Sequence, residues 1–293
     1  RPRRHHQAPP SRMTFFWTLL KGLAMGAADV VPGVSGGTVA YITGIYQRLL
    51  DAISAVGPTV WKAFRQGGIS GAWKAVDGTF LLALGSGIAV SILSLSKAVL
   101  WGLDHYPPVV WGFFFGLIVG SLPLILRGIP KKQATKAFPL LLLGVGIGFG
   151  LSILSPAEAT LSYSYIFLSG ALAICAMILP GISGSFILVL LGAYEGVLEG
   201  LHARDWGLIL TFMAGAGVGL LSFARLLRWL FALFPTAMVL TMAGFIIGSL
   251  AKIWPFQAAY ASTVSPLWTI TAMVCGWALV AGLNRWAKTL PAE

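Results

Sequence analysis

Residues 32–46 read PGVSGGTVAYITGIY, and residues 180–194 read PGISGSFILVLLGAY. The stretches align without a gap at Pro32/Pro180, Gly33/Gly181, Ser35/Ser183, Gly36/Gly184, Gly44/Gly192 and Tyr46/Tyr194. A second pair of blocks follows in the same order, GLIVGSL at 116–122 and GFIIGSL at 244–250. In that register Pro107 meets Pro235 and Lys97 meets Arg225. Two ordered matches, spanning 22–126 and 170–254, mark an internal repeat.

The chain around these blocks is apolar. Of its 293 residues 57% are hydrophobic and only 10% charged, with a mean hydropathy of +0.84. A soluble domain carries about 25% charged residues, so disorder, a coiled coil, a secreted disulfide scaffold and an ordinary cytosolic enzyme are excluded. Thirty-six glycines and eleven tryptophans fit membrane helices and their interfaces. The net charge of +11 arises from basic residues in short gaps between apolar runs. That is the positive-inside pattern, not a nucleic-acid surface. Cys175 and Cys275 sit inside apolar stretches with no CxxC, and read as small buried hydrophobes. No metal or cofactor is expected.

Apolar runs fall at 14–31, 37–56, 79–103, 108–126, 138–155, 163–179, 182–201, 207–233, 236–254 and 266–284. A full span takes about 20 residues. The runs 14–31 and 163–179 are short, and each ends in Pro-Gly with another apolar run directly behind it. Such a helix–break–helix reads as a re-entrant hairpin with its tip at mid-membrane, with a full crossing to the other face as the alternative. The run from Met13 imitates a signal peptide, but it leads into a motif with an internal copy and is read as part of the protein. The expected organisation is a disordered basic tail (1–13), a first membrane repeat (14–136) and a connecting helix (137–156). A second repeat (157–255) and a last helix with its tail (256–293) complete it.

Charge sets the orientation. With the N-terminus inside, Lys62, Arg65 and Lys74 fall in one cytoplasmic loop and Arg127, Lys131, Lys132 and Lys136 in the next. Arg285 and Lys288 fall in a cytoplasmic tail. The other side receives Asp104, Glu158, Arg204, Asp205 and, near a helix end, Lys252. Three full spans, 79–103, 108–126 and 138–155, separate equivalent points of the two copies. An odd number inverts the second copy. Inverted repeats with broken helices are the architecture of secondary transporters.

A Pro-Gly break ends one half-helix, and the Gly/Ser turn opens the next. The first N–H groups of that next helix lack intrahelical partners and favour an anion. Gly33, Gly36 and Gly37, with Gly181 and Gly184, allow close backbone approach. Ser35, Thr38, Ser183 and Ser185 add hydroxyls. Small-residue helix packing would use the same residue types. Two copies at matched positions favour the anion site, and phosphate is its natural guest. GxSG also resembles the nucleophile motif of rhomboid intramembrane proteases. A serine nucleophile needs a base in reach, and His5, His6, His105 and His202 all lie in the tail or at helix ends.

Charges inside membrane segments are functional suspects. Asp29, three residues before Pro32, is a candidate for proton coupling or for capping the tip; its repeat counterpart is Met177. Glu195 is a second protonatable candidate. Lys21, midway along the first hairpin, attracts an anion or snorkels to the interface. Lys97 and Arg225 read as a head-group relay, one cation near each mouth. Arg48 and Asp51, three residues apart, read as a surface ion pair.

The runs GAADVVPGVSGGTVAYITGIYQRLL, ILPGISGSFILVLLGAY and GSLAKIWP resemble a bacterial and archaeal membrane family described as polyprenyl-phosphate transporters (PopT). The likeness runs from Gly22 to Pro255. It implies that undecaprenyl phosphate or a close relative is returned from the outer to the inner leaflet of the cytoplasmic membrane. The expectation is therefore an all-α polytopic membrane protein, not an enzyme. It has inverted repeats, re-entrant hairpins and both termini cytoplasmic. Its partners are the lipid and the bilayer, and an ion or small-anion channel is the alternative.

Overall fold

The computed structural model describes residues 12–30, 35–127, 129–154, 162–256 and 265–289. Among these residues there are fourteen α-helices and no strand. The first half runs α1 (Arg12–Val30), α2 (Gly36–Ile42), α3 (Tyr46–Ala55), α4 (Pro58–Ala75), α5 (Gly78–Val90), α6 (Ser96–His105), α7 (Pro107–Ile125) and α8 (Lys131–Ile153). The second runs α9 (Tyr163–Ile178), α10 (Gly184–Leu190), α11 (Tyr194–His202), α12 (Trp206–Leu233), α13 (Pro235–Ser249) and α14 (Pro266–Thr289). The protein is an all-α polytopic membrane protein. α7, α8 and α12 are each long and apolar enough to cross a bilayer, and bent helix pairs raise the number of candidate spans to five. On α8 the side chains of Leu142, Leu143, Ile147 and Phe149 are exposed, an apolar face suited to lipid.

The repeat is visible element by element. α2 and α10 are both seven residues long and begin 148 residues apart, at Gly36 and Gly184. α5 and α6, joined by a π turn at Ser91–Leu95, run from Gly78 to His105. α12 covers the matching stretch, Trp206–Leu233, in one 28-residue helix. The offset there has fallen to 128, so the first copy holds twenty more residues, and α4 accounts for them. α7 and α13 both open on a proline, Pro107 and Pro235, whose missing N–H costs nothing in a first turn.

Glycine ridges hold the long helices together in pairs. α1 packs on α5, and α9 packs on α12. α7 packs on α14, and α8 on α13. A Cβ added at Gly116 would lie 1.9 Å from the Met273 carbonyl oxygen, and one at Gly276 would lie 2.1 Å from that of Phe113. On the other pair, Gly244 faces the Leu141 carbonyl at 2.3 Å and Gly144 that of Thr241 at 2.4 Å. These backbones touch directly, as small-residue membrane interfaces allow.

Four features differ from the sequence reading, the first being that Cys275, read as buried, is exposed and Cys175 is only partly buried. The apolar run 37–56 is two helices, because Gly44 (φ +75°) ends α2 in a conformation only glycine holds cheaply. Gly192 (φ +62°) does the same after α10, which meets α11 at 107°. The loop holding Lys62, Arg65 and Lys74 is helical. α4 folds back at Gly67–Gly68, where Gly68 has φ +60°, so that a Cβ on Gly71 would lie 2.4 Å from the Ala63 carbonyl oxygen. Arg48 does not pair with Asp51. It reaches Asp77 at 2.6 Å and lies over the Phe80 ring, joining the start of α5 to α3.

Candidate functional site

The two breaks meet. Ser35, 1% exposed, caps α2 by accepting the Gly37 N–H at 3.1 Å. Its own hydroxyl donates across to the Met177 carbonyl at 3.1 Å, just before the second break. In return the Gly181 N–H donates to Thr38 Oγ1 at 2.7 Å. Gly37 is pressed against the same strip of chain: a Cβ there would lie 2.6 Å from the Ile178 carbonyl oxygen. Serine, glycine and threonine of one PGxSG motif are thus fastened to the other motif, 143 residues away along the chain for the Thr38–Gly181 bond.

The two breaks are not chemically alike. At the first, the Gly36 N–H donates to Asp29 Oδ1 at 2.7 Å, so an internal carboxylate stands where an external anion would dock. Glycine at 36 lets the carboxylate come this close: a Cβ there would lie 2.6 Å from Asp29 Oδ2 and would push the side chain away. Gly33 and Pro32 lie outside the described residues. At the second break the equivalent of Asp29 is Met177, which brings no carboxylate of its own. Ser183 and Ser185 hydroxyls share a bond of 2.9 Å, and Gly184 packs on Ala173. Gly181, Ser183 and Phe186 line a cleft completed by Ser152 of α8 and by Ser249 and Lys252. The Lys252 ammonium lies 4.4 Å from the centre of the Phe186 ring.

The remaining cations are spread out. Lys21 donates to the Thr43 carbonyl at 3.0 Å, latching the end of α2 to α1. In the second copy Tyr165 of α9 makes the matching latch, donating to the Leu191 carbonyl at 2.6 Å. Arg225 on α12 donates to the Val56 carbonyl at the end of α3. Lys97 is exposed on α6, and Glu195 is exposed in the first turn of α11. The paired PGxSG motifs announced the breaks. The Asp29–Gly36 contact, the latches and Lys252 left weaker signals, although Thr43 and Leu191 occupy equivalent repeat positions.

A multi-pass helical bundle with two helix breaks fastened to each other is the class that fold and site define. The chain belongs to the VCA0040-like family, described as undecaprenyl phosphate translocase-like, whose model matches residues 25–267. It is similar to a polyprenyl-phosphate transporter of Vibrio cholerae serotype O1, with 44% identity over 245 residues. That alignment covers 84% of this chain and 79% of the relative. A polyprenyl-phosphate transporter of Staphylococcus aureus is 32% identical over 261 residues, covering 82% of this chain and 87% of that one. No solved structure matches the chain.

Proposed function

We propose that this protein transports polyprenyl phosphate across the cytoplasmic membrane, from outer to inner leaflet, as a carrier and not as an enzyme. The observation that carries the reading is the mutual fastening of the two breaks, in a family whose curated relatives are named polyprenyl-phosphate transporters. The two copies are inverted with respect to the membrane, both termini are cytoplasmic, and the breaks lie near the midplane.

The phosphate sits where the PGxSG motifs converge. Gly181, Ser183, Gly184 and Ser185 offer the open side. Gly33, Ser35, Gly36, Gly37 and Thr38 form the fastened side, and head-group access there requires displacing the Asp29 carboxylate. Asp29 is therefore the better placed of the two coupling candidates, with Glu195 nearer the surface. Arg225 and Lys97 receive the head group at the mouths, and Lys21 steadies the first break. The serine-protease reading loses support because the Ser35 hydroxyl is committed to a backbone carbonyl and Ser183 to another serine.

The test is leaflet accessibility of labelled undecaprenyl phosphate in proteoliposomes, with and without a pH gradient. Protein-dependent movement is the expected result. Ionic current without lipid movement, from protein shown to be folded, would replace the carrier with a channel.

A further inference from the structure

We infer that the folded-back helix α4 is a docking element for an anionic phospholipid surface. The inference concerns the outside of the bundle and stands apart from the identity of the lipid that the bundle carries. α4 has no buried residue, and it leaves Trp61 63% and Ile69 80% exposed. Phe64 and Trp73 are exposed on the same element.

Its shape follows from a glycine pair. Gly67 and Gly68 leave helical backbone geometry, and Gly68 has φ +60°, so residues 58–66 and 69–75 form two short legs. Gly71 lets the second leg close on the Ala63 carbonyl of the first. Each leg is about 10–14 Å long at 1.5 Å per residue, far short of the ~30 Å hydrocarbon core. On the first leg Trp61 and Phe64 stand three residues apart with their rings stacked at 6.1 Å, and Lys62 and Arg65 repeat that spacing one residue on. An aromatic stripe therefore runs beside a basic one. Ile69 and Trp73, four residues apart, carry an apolar stripe on the second leg, where Lys74 adds a third cation. Trp73 also ties the element to the bundle. Its Nε1–H donates to Thr79 Oγ1 at 3.2 Å, and its ring covers Gly78, where a Cβ would lie 2.3 Å from it.

Charge decides the partner. α4 contains no acidic residue, and Lys62, Arg65 and Lys74 form no ion pair among the described residues. Asp77, the acid that follows α4, is held by Arg48 at 2.6 Å. Unopposed cations beside exposed aromatic rings complement an anionic headgroup layer: lipid phosphates take the cations, and the rings settle at the acyl boundary. A zwitterionic surface would accept the rings without rewarding the charges. The second copy passes from α11 to α12 through residues 203–205, where Arg204 stands next to Asp205. α4 is thus an addition to one copy, and it brings basic charge with no acid of its own.

The experiment is power-saturation electron paramagnetic resonance on the full chain in proteoliposomes. A nitroxide is placed at Ile69→Cys, with Cys175 and Cys275 replaced by serine. Collisions with oxygen should dominate in vesicles containing phosphatidylglycerol, and collisions with a water-soluble nickel chelate should gain in pure phosphatidylcholine. Each cation at an anionic surface is worth about fivefold in the docked-to-undocked ratio, so three are worth about 100-fold. Changing Lys62, Arg65 and Lys74 to glutamine should therefore abolish the difference between the two vesicles. The changed protein should melt like its parent, because none of the three side chains is buried. Trp61→Ala with Phe64→Ala should reduce immersion in the anionic vesicles at unchanged melting temperature, which separates docking from a purely electrostatic approach. A label that stays in water in both vesicles overturns docking. One equally immersed in both overturns the anionic partner. A label shielded from both reagents places α4 against protein, such as a second copy of the chain, and overturns the lipid surface.

Discussion

Thr38→Val tests whether the two breaks are held together by the contact that crosses them. Valine matches threonine in shape, and Thr38 is 1% exposed, so the change removes the oxygen and little else. What remains is the Gly181 N–H, which donates to that oxygen at 2.7 Å. A buried donor left without a partner costs about 1–3 kcal/mol. Side-chain bonds between membrane helices average nearer 0.6 kcal/mol, because the unfolded reference finds partners in the bilayer too. Gly181 packs closely on Phe245 and Ile246 and has φ +88°, which leaves its amide little room to turn to another acceptor. We therefore expect a loss of about 1–2 kcal/mol. At roughly 2–4 °C per kcal/mol for a chain of this scale, Tm should fall by about 2–8 °C in detergent or nanodiscs. Thr38→Ser keeps the acceptor and should lose less. Transport should fall in Thr38→Val beyond what lower stability explains, since the breaks are freed to separate. Adding Ser35→Ala should give a non-additive loss, because both residues fasten the same junction. Wild-type melting and wild-type transport by Thr38→Val would refute the fastening as a determinant of the site.

Other expectations follow from single contacts. Asp29→Asn keeps an acceptor for the Gly36 N–H, so folding should persist; an unchanged pH dependence of lipid movement would remove Asp29 from coupling. Gly116→Ala forces a Cβ to 1.9 Å from the Met273 carbonyl oxygen and should destabilise by at least about 1–3 kcal/mol, measured by thermal melting. Gly217→Ala, with no neighbour within 4 Å, should melt like wild type. Arg225→Leu should lower both stability and transport, because the side chain ties α12 to the Val56 carbonyl. Exposed Lys97, changed to glutamine, should affect transport alone.

The features legible in the sequence were those written in local pattern or in repetition. Apolar run length gave the polytopic class, and two PGxSG copies gave the breaks and their pairing. Proline at 107 and 235 marked matching helix starts. What stayed hidden depends on partners far along the chain. Arg48 has Asp51 one turn away, yet bonds to Asp77, because the left-handed turn at Asp77 aims that carboxylate at α3. Asp29 read as a proton-coupling group or a cap on the hairpin tip, and the fold supplies the partner it accepts from, the Gly36 N–H. α4 read as a basic loop because its glycine pair and mixed polarity obscure any helical stripe. Gly44 and Gly192 were already aligned in the repeat. Their positive φ, which divides each second half-helix, could have been inferred from the recurrence of glycine before tyrosine.

The crosswise pairing of the long helices has a consequence for the chain as a whole. α8 follows α7 but packs on α13, and α14 follows α13 but packs on α7. Each half thus lends its last helix to the other, and neither covers its own glycine ridge. A fragment ending at residue 154 would display an unfilled groove along α7, and its complement the same along α13. Supplied as two polypeptides, the halves carry the surfaces needed to find each other. The peptide link between them then acts as a tether, raising local concentration without dictating shape.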